Sequence, residues 1–589
     1  MLADKDLVSI QEVRSKVEKA YAASQKYRHF NQQQVDAIVE SMAAAARADS
    51  QRLAELAVQE TGYGNAKDKL AKNLLCADLL PRRMRGMKTI GVIRELPEEK
   101  VTEIGTPVGV VAAILPTTNP TSTAIYKSLI SLKAGNAVVL SPHPNAKNCT
   151  CETANVLYQA ALAAGAPEDI IQCINTPTLE ATNALMRHER TGVILSTGGH
   201  GIVKAAYSSG KPAFGVGPGN VPVMLERSAD IADAVRMVVD GKSFDFGTVC
   251  SSEQALVFEE PLRDRVIAEL KSRKAYFCSE AQKEAVGRLL LTPNWTVNPK
   301  CVGQAAPKIA SMAGFEVPPD TPILVVELNG VGKQHPLSAE KLSPVLSLYS
   351  VKDFAAGVDI CEALLRFGGL GHTCVIHSKD DARVREYGLR MPAFRVLVNT
   401  SAPQGSTGIT TNIFPSMTLG CGAIAGNITS DNIGPQHLIN IKRIAYLVRK
   451  PEEAFEVPAS ASASGPVSVN RGTVVAAVEK YLASRGVASA TPSMPPSPAR
   501  ADVVSDVVDR FLAAKRSQAA PSPAAPAPAP AAPPKAPDSA PAIVAFVCEN
   551  DVREAIRDSR KIYVGPKTII TPSARELGDQ SGILVLAQR

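Results

Sequence analysis

The chain reads as an α/β protein: two doubly wound parallel-sheet units in succession, then a low-complexity extension. Three observations predict this. Short apolar runs alternate with helical stretches from about residue 108 to 430, the pattern of parallel strands joined by crossover helices. Several runs end at Pro, Thr, Ser or Gly clusters, where open sheets of this kind collect ligands. Composition then shifts after Arg449 to Ala, Ser, Pro and Gly. At 589 residues the chain has room for two or three domains.

Residues 7–60 predict amphipathic helices, with Val8, Ile10, Val13, Val17 and Tyr21 at helical spacing. Alternation over 88–104 predicts a hairpin. Val108–Leu115 predicts a strand ending at Pro116-Thr-Thr-Asn-Pro120, with a helix from about Thr121. Ala137–Leu140 predicts a second strand, ending at Ser141-Pro-His-Pro144; Ile170–Ile174 and Val193–Leu195 predict a third and a fourth. The first unit is expected over 1–224, with the hairpin at about 85–106. A second is expected over 225–430, with strands at Ala255–Phe258 and Ile323–Glu327, and a strand-like segment over 431–456. The linker 457–542 carries two amphipathic candidates. One, 473–485, has Val474, Val475, Val478, Tyr481 and Leu482 on one side; the other, 502–515, has Val503, Val504, Val507, Val508, Phe511 and Leu512. Residues 517–542 are almost wholly Ala and Pro, an extended spacer with no means of building a core. A small segment, 543–589, regains apolar character.

Composition narrows the function. Hydrophobic residues make up 45% and charged residues 21%, ordinary for a globular protein. The net charge of +7 comes from 64 basic and 57 acidic residues, a mild imbalance, and no basic run interleaved with aromatics suggests nucleic-acid binding. No apolar stretch is long enough to span a bilayer. Eleven cysteines without metal-type spacing, and a polar N-terminus, predict a reducing cytoplasmic setting and no metal site.

The chemistry-bearing residue is Cys250, in Phe244-Asp-Phe-Gly-Thr-Val-Cys250-Ser-Ser-Glu253, about 30 residues after Gly215-Val-Gly-Pro-Gly-Asn220. Cysteine is most often a small buried hydrophobe. The Gly-Thr-Val approach and flanking hydroxyls instead suit an exposed nucleophile, whose thiolate attacks an aldehyde carbonyl. Asn119 follows a strand and precedes a helix, as an N-cap or turn residue does. The glycine pairs Gly198-Gly199 and Gly217/Gly219 follow predicted strands, where bare backbone allows close approach.

These motifs, in their order along about residues 5–450, resemble the aldehyde dehydrogenase superfamily. More closely they resemble its CoA-acylating branch: aldehyde–alcohol dehydrogenases and the propionaldehyde and acetaldehyde dehydrogenases of bacterial microcompartments. The resemblance rests on Thr106–Val111 with Pro116–Thr121, Ser141–Pro144, Ser196–Gly199, Gly215–Asn220, Phe244–Glu253, Lys341–Val345 and Gly368–Thr373. It implies an aldehyde dehydrogenase-like fold, with a Rossmann-type cofactor domain, an α/β catalytic domain and an oligomerisation hairpin. It implies Cys250 as nucleophile and Asn119 as oxyanion donor, a kind of group whose removal costs about 3–4 kcal/mol of barrier. His372 is implied as acid/base or thiol activator, although a structural histidine held by backbone accounts for it equally well.

For the cofactor the resemblance implies Pro116, Thr117, Ser141, His143, Thr197, Gly198, Gly199, Gly217, Gly219 and Glu340. NAD is expected, with NADP open because Ser141 and His143 stand where hydrolytic relatives usually carry a lysine. Hydrolytic relatives have Glu-Leu-Gly-Gly where this chain has Gly217-Pro-Gly-Asn220. Without that carboxylate the acyl group is expected to pass to coenzyme A; hydrolysis to a free acid is the alternative. Further expectations are a propionaldehyde or acetaldehyde substrate, a homodimer or tetramer, and residence in a microcompartment lumen. Both C-terminal amphipathic segments resemble encapsulation peptides, which bind shell proteins. A vestigial enzyme acting as scaffold is a third reading, opposed by the intact Cys250/Asn119 pair.

Overall fold

The computed structural model describes residues 4–292 and 296–455, scattered positions between 472 and 480, and 544–586. The chain divides into two compact units, Met1–Val457 and Pro458–Arg589.

The first unit opens with helices Lys5–Tyr27, Gln32–Ala48 and Ser50–Thr61. Each turns small apolar residues inward: Val13, Val17 and Ala20 on the first, Val35, Ile38 and Met42 on the second. A capping box at Asn31 starts the second helix. Strands β1 (Gly91–Leu96) and β2 (Val101–Pro107) form the expected antiparallel hairpin.

β3 (Val110–Ile114), β4 (Ala137–Ser141), β5 (Ile171–Cys173), β6 (Thr191–Thr197) and β7 (Ala213–Val216) make a parallel sheet in the order β5-β4-β3-β6-β7. β3 and β4 are buried throughout, which is why they read as unbroken apolar runs rather than as alternation.

A second sheet contains β8 (Val221–Leu225), β9 (Glu253–Glu259), β10 (Tyr276–Phe277), β11 (Leu324–Glu327), β12 (Val345–Val351), β13 (Gly371–His377) and β14 (Ala393–Val398), ordered β10-β11-β12-β9-β8-β13-β14 and parallel throughout. β8 belongs to this sheet, so the second sheet begins at Val221, before the boundary expected at 224/225; Gly217–Asn220 joins the two sheets. β15 (Ile439–Ala445) pairs antiparallel with β2 and completes a three-stranded sheet with the hairpin. Cys151 and Cys173 are paired as a disulfide, and the other nine cysteines are free.

In the second unit the amphipathic segments 473–485 and 502–515 lie outside the described residues, except Val474, Ala476, Ala477 and Lys480, which are helical. Residues 544–586 form a βαβαβ unit. β16 (Val544–Val547), β17 (Ile562–Ile570) and β18 (Leu584–Leu586) are parallel in sequence order, with helices Glu549–Arg557 and Pro572–Ser581 between them. This segment has a core of its own around Val547, Val552, Ile562, Val564 and Ala574.

Candidate active site

Four strand-end loops of the five-stranded sheet meet at one cleft of about 580 Å³. The loop after β3 supplies Pro116, Thr117 and Asn119, and the end of β4 supplies Ser141 and His143. The end of β6 supplies Thr197, Gly198 and Gly199, and the loop after β7 supplies Gly217. Cys250, Thr248 and Glu340 come from the second sheet's side. The cleft therefore lies at the carboxyl ends of the strands, where the topology of open α/β sheets places ligands. A larger hollow of about 720 Å³, around Lys283, Arg288 and His335, borders none of these residues.

Cys250 is partly exposed at this cleft. It follows the short 3₁₀ turn Phe244–Gly247, in which Asp245 and Phe246 have positive φ. Burial pushes its thiol up to about 12; the Glu340 and Cys421 charges add to this, while Arg395 and the Cys250 backbone N–H oppose it. Burial therefore favours the thiol over the thiolate at rest.

Asn119 caps the helix Pro120–Lys133, yet its side chain makes no capping bond. The amide is engaged elsewhere: its Nδ2 donates to Thr118 Oγ1 at 3.0 Å, and its Oδ1 accepts from the Lys72 ammonium at 2.5 Å. Lys127, fully buried in the same helix, donates to the carbonyls of Ile114 and Leu195 and ties the ends of β3 and β6 together. Burial drives its pKa well below the ordinary lysine value.

Two expected site residues are placed differently. Gly219 does not line the cleft. It packs on the nucleophile instead: a Cβ there would lie 2.0 Å from the Cys250 carbonyl oxygen, and its N–H donates to Glu340 Oε1 at 3.0 Å. Only glycine fits this approach. His372 is also off the cleft wall. Its glycine-rich context suggests a loop, but it lies inside β13, paired on both sides by β8 and β14, and is fully buried. Nδ1 contacts Thr373 Oγ1 at 3.0 Å, Nε2 has no partner among the described residues, and burial with Arg395 nearby keeps the ring neutral.

Ser141 and His143 line the cleft with their polar atoms engaged: Ser141 Oγ with Thr182 Oγ1, and His143 Nδ1 accepting from the Asn145 N–H. Glu340 is the single carboxylic acid among the described lining residues. Burial pushes it up to about 8, against the Gly219 N–H and Lys242 and Lys341. Among the described residues no cluster suited to a metal occurs, and no helix is long and apolar enough to cross a membrane.

The residues present fit a dinucleotide. Gly199 and Gly217 face open space where a side chain would intrude, and the helix His200–Tyr207 begins directly after Gly199, presenting backbone N–H groups to an anionic ligand.

A thiol and a carboxamide lining one strand-end cleft are the groups that nucleophilic chemistry at a carbonyl uses. Comparison with known proteins agrees. The model of the aldehyde dehydrogenase family matches residues 2–285. An acetylating aldehyde dehydrogenase structure from Geobacillus thermoglucosidasius is 51% identical with a TM-score of 0.75, covering 76% of this chain and 99% of that one. A propionaldehyde dehydrogenase structure from Rhodopseudomonas palustris, with bound CoA and an acylated cysteine, is 28% identical with a TM-score of 0.66, covering 74% and 97%. The bifunctional aldehyde-alcohol dehydrogenase AdhE of Escherichia coli is 44% identical over 444 residues, 74% of this chain; the chain spans only 50% of that protein's length. The chain belongs to the aldehyde dehydrogenase family, in its acetylating branch.

Proposed function

We propose that the chain oxidises a short-chain aldehyde to its CoA thioester, with NAD+ as hydride acceptor. The observation that carries this reading is Cys250 in the strand-end cleft beside a Gly217–Asn220 run that has no carboxylate. The sulfur of Cys250 adds to the aldehyde carbon and its proton leaves to solvent. The Asn119 amide and the Cys250 N–H donate to the oxygen as it gains charge. Bound in the cleft, the nicotinamide cofactor would accept hydride from that carbon, and the carbonyl reforms as a Cys250 thioester. The thiol of CoA then adds to the same carbon with the same donors in place. The Cys250 sulfur departs, and the proton given up by CoA restores its thiol. Thr197, Gly198 and Gly199 would hold the pyrophosphate, Ser141 and His143 the adenosine end, and Glu340 the nicotinamide ribose.

One observation favours the hydrolytic alternative: Glu340 is a carboxyl in the same cleft. Against it, Glu340 lies outside the Gly217–Asn220 run, and one of its oxygens is already engaged by the Gly219 N–H. Measuring NADH from propionaldehyde or acetaldehyde with and without CoA separates the two. We expect one equivalent of NADH per Cys250 without thiol, and sustained turnover to acyl-CoA with it. Full turnover to free acid without any thiol would overturn the reading, as would activity in Cys250→Ala. Assembly as a dimer or tetramer through β15 and the hairpin, and tethering of segments 473–485 and 502–515 to a microcompartment shell, belong to the same proposal.

A further inference from the structure

Behind Asn119 lies a buried ionic cluster that the chemistry above leaves unused. Lys69 and Lys72, three apart on the helix Ala66–Leu74, are 2% and 3% exposed, and Asp245, five residues before the nucleophile, is fully buried. Asp245 Oδ2 accepts from both ammonium groups and from Thr248 Oγ1, and Oδ1 accepts from the Asn65 N–H. Buried charges survive only when paired in this way. Asp245 holds a positive φ of 47°, and a Cβ on Gly64 would collide with its carboxylate, so the local backbone is shaped around this one side chain.

Lys72 extends beyond the pair. Its Nζ also donates to Asn119 Oδ1 at 2.5 Å and lies 3.4 Å from Thr248 Oγ1. An ammonium has three donors and no acceptor, so it can face only the oxygen of the asparagine amide. The NH2 end must then point the other way. One of its hydrogens goes to Thr118 Oγ1, and the other remains for the cleft that Asn119 and Cys250 share.

We propose that Lys72, anchored by Asp245, is a positioning residue that fixes the Asn119 amide with its NH2 toward the reacting oxygen and registers it against the Cys250 loop. A neutral residue at 72 would let the amide turn over and present an oxygen to a developing oxyanion. This rests on the reading of Asn119 as oxyanion donor.

The test is a double-mutant cycle on the full-length chain, read as the rate of the NADH burst from aldehyde without CoA. Lys72→Met is expected to slow the burst about 10- to 100-fold, with KM for aldehyde changed less than about threefold; Asn119→Ala is expected to slow it about 100- to 1000-fold. On the Asn119→Ala background, Lys72→Met is expected to cost nothing further. Alkylation of Cys250 should proceed at the wild-type rate in Lys72→Met, because Lys72 acts on the amide and not on the sulfur. If the two losses multiply, or if alkylation and KM shift together with the burst, Lys72 is only structural and the proposal is overturned. If Lys72→Met does not fold, Lys69→Met/Lys72→Met/Asp245→Asn removes the whole buried charge cluster, so that no charge is left without its partner, and is read the same way. CoA dependence of the wild type is measured in parallel; its absence would sink the acyl-transfer reading and leave the burst cycle unaffected.

Discussion

Cys250, the proposed nucleophile, sits where burial favours its thiol form. With its pKa pushed up to about 12, only about 10⁻⁵ is thiolate at pH 7. A thiol loses its proton as pH rises, so alkylation of Cys250 by iodoacetamide, read by peptide mass spectrometry, should accelerate about tenfold per pH unit between 7 and 10. Glu340, itself at about 8, becomes charged in that window and opposes ionisation of the sulfur. Glu340→Gln should therefore speed alkylation at pH 9 while leaving pH 6 nearly unchanged. A wild-type rate that levels off above pH 8 would show a thiol much less perturbed than this. The cysteine and asparagine are legible in the sequence because carbonyl chemistry demands particular residue types at strand ends. Lys69, Lys72 and Asp245 are not. On the helix Ala66–Leu74, lysines beside Lys67 and Asp68 look like a solvated face, and only the fold reveals that this face is closed over by the nucleophile's loop.

At the scale of elements, β15 exposes Ile441 and Ile444, and Tyr446, Leu447 and Val448 follow it in the open. The sheet it completes has unpaired outer edges at β1 and β15. Exposed apolar strands of this kind seek a partner. Ile441→Asp/Ile444→Asp should lower the assembly mass measured by light scattering; an unchanged mass would move the interface elsewhere. Alternation made the hairpin legible, and unbroken apolar runs made β3 and β4 legible. β13 is harder to read: its first residues fall in the glycine-rich run Gly368–Thr373, and its strand neighbours β14 and β8 come from distant parts of the chain. Likewise β8 reads as the tail of the first unit, since a strand's sheet partners are long-range facts that local pattern does not carry.

For the whole molecule, the division at Val457/Pro458 follows composition. Removing residues 458–589 should leave CoA-dependent turnover within about twofold and the main melting transition unchanged, while co-sedimentation with microcompartment shells is lost. Loss of turnover would mean that the extension takes part in the enzyme. The shift to Ala and Pro made this boundary legible. The small βαβαβ unit at the end was not, because β16 and β18 are only four and three residues long, and the unit takes shape only when Val547, Ile562 and Val564 pack with the two helices.

The shared cleft bears on the order of events. Thr197–Gly199 and Ser141–His143 wall the hollow that Cys250 lines. On the proposed reading a dinucleotide and a thiol carrying its own adenosine diphosphate would meet these same walls and take turns, so the acyl group would wait on the cysteine through the exchange, with no carboxylate at Gly217–Asn220 to activate water against it.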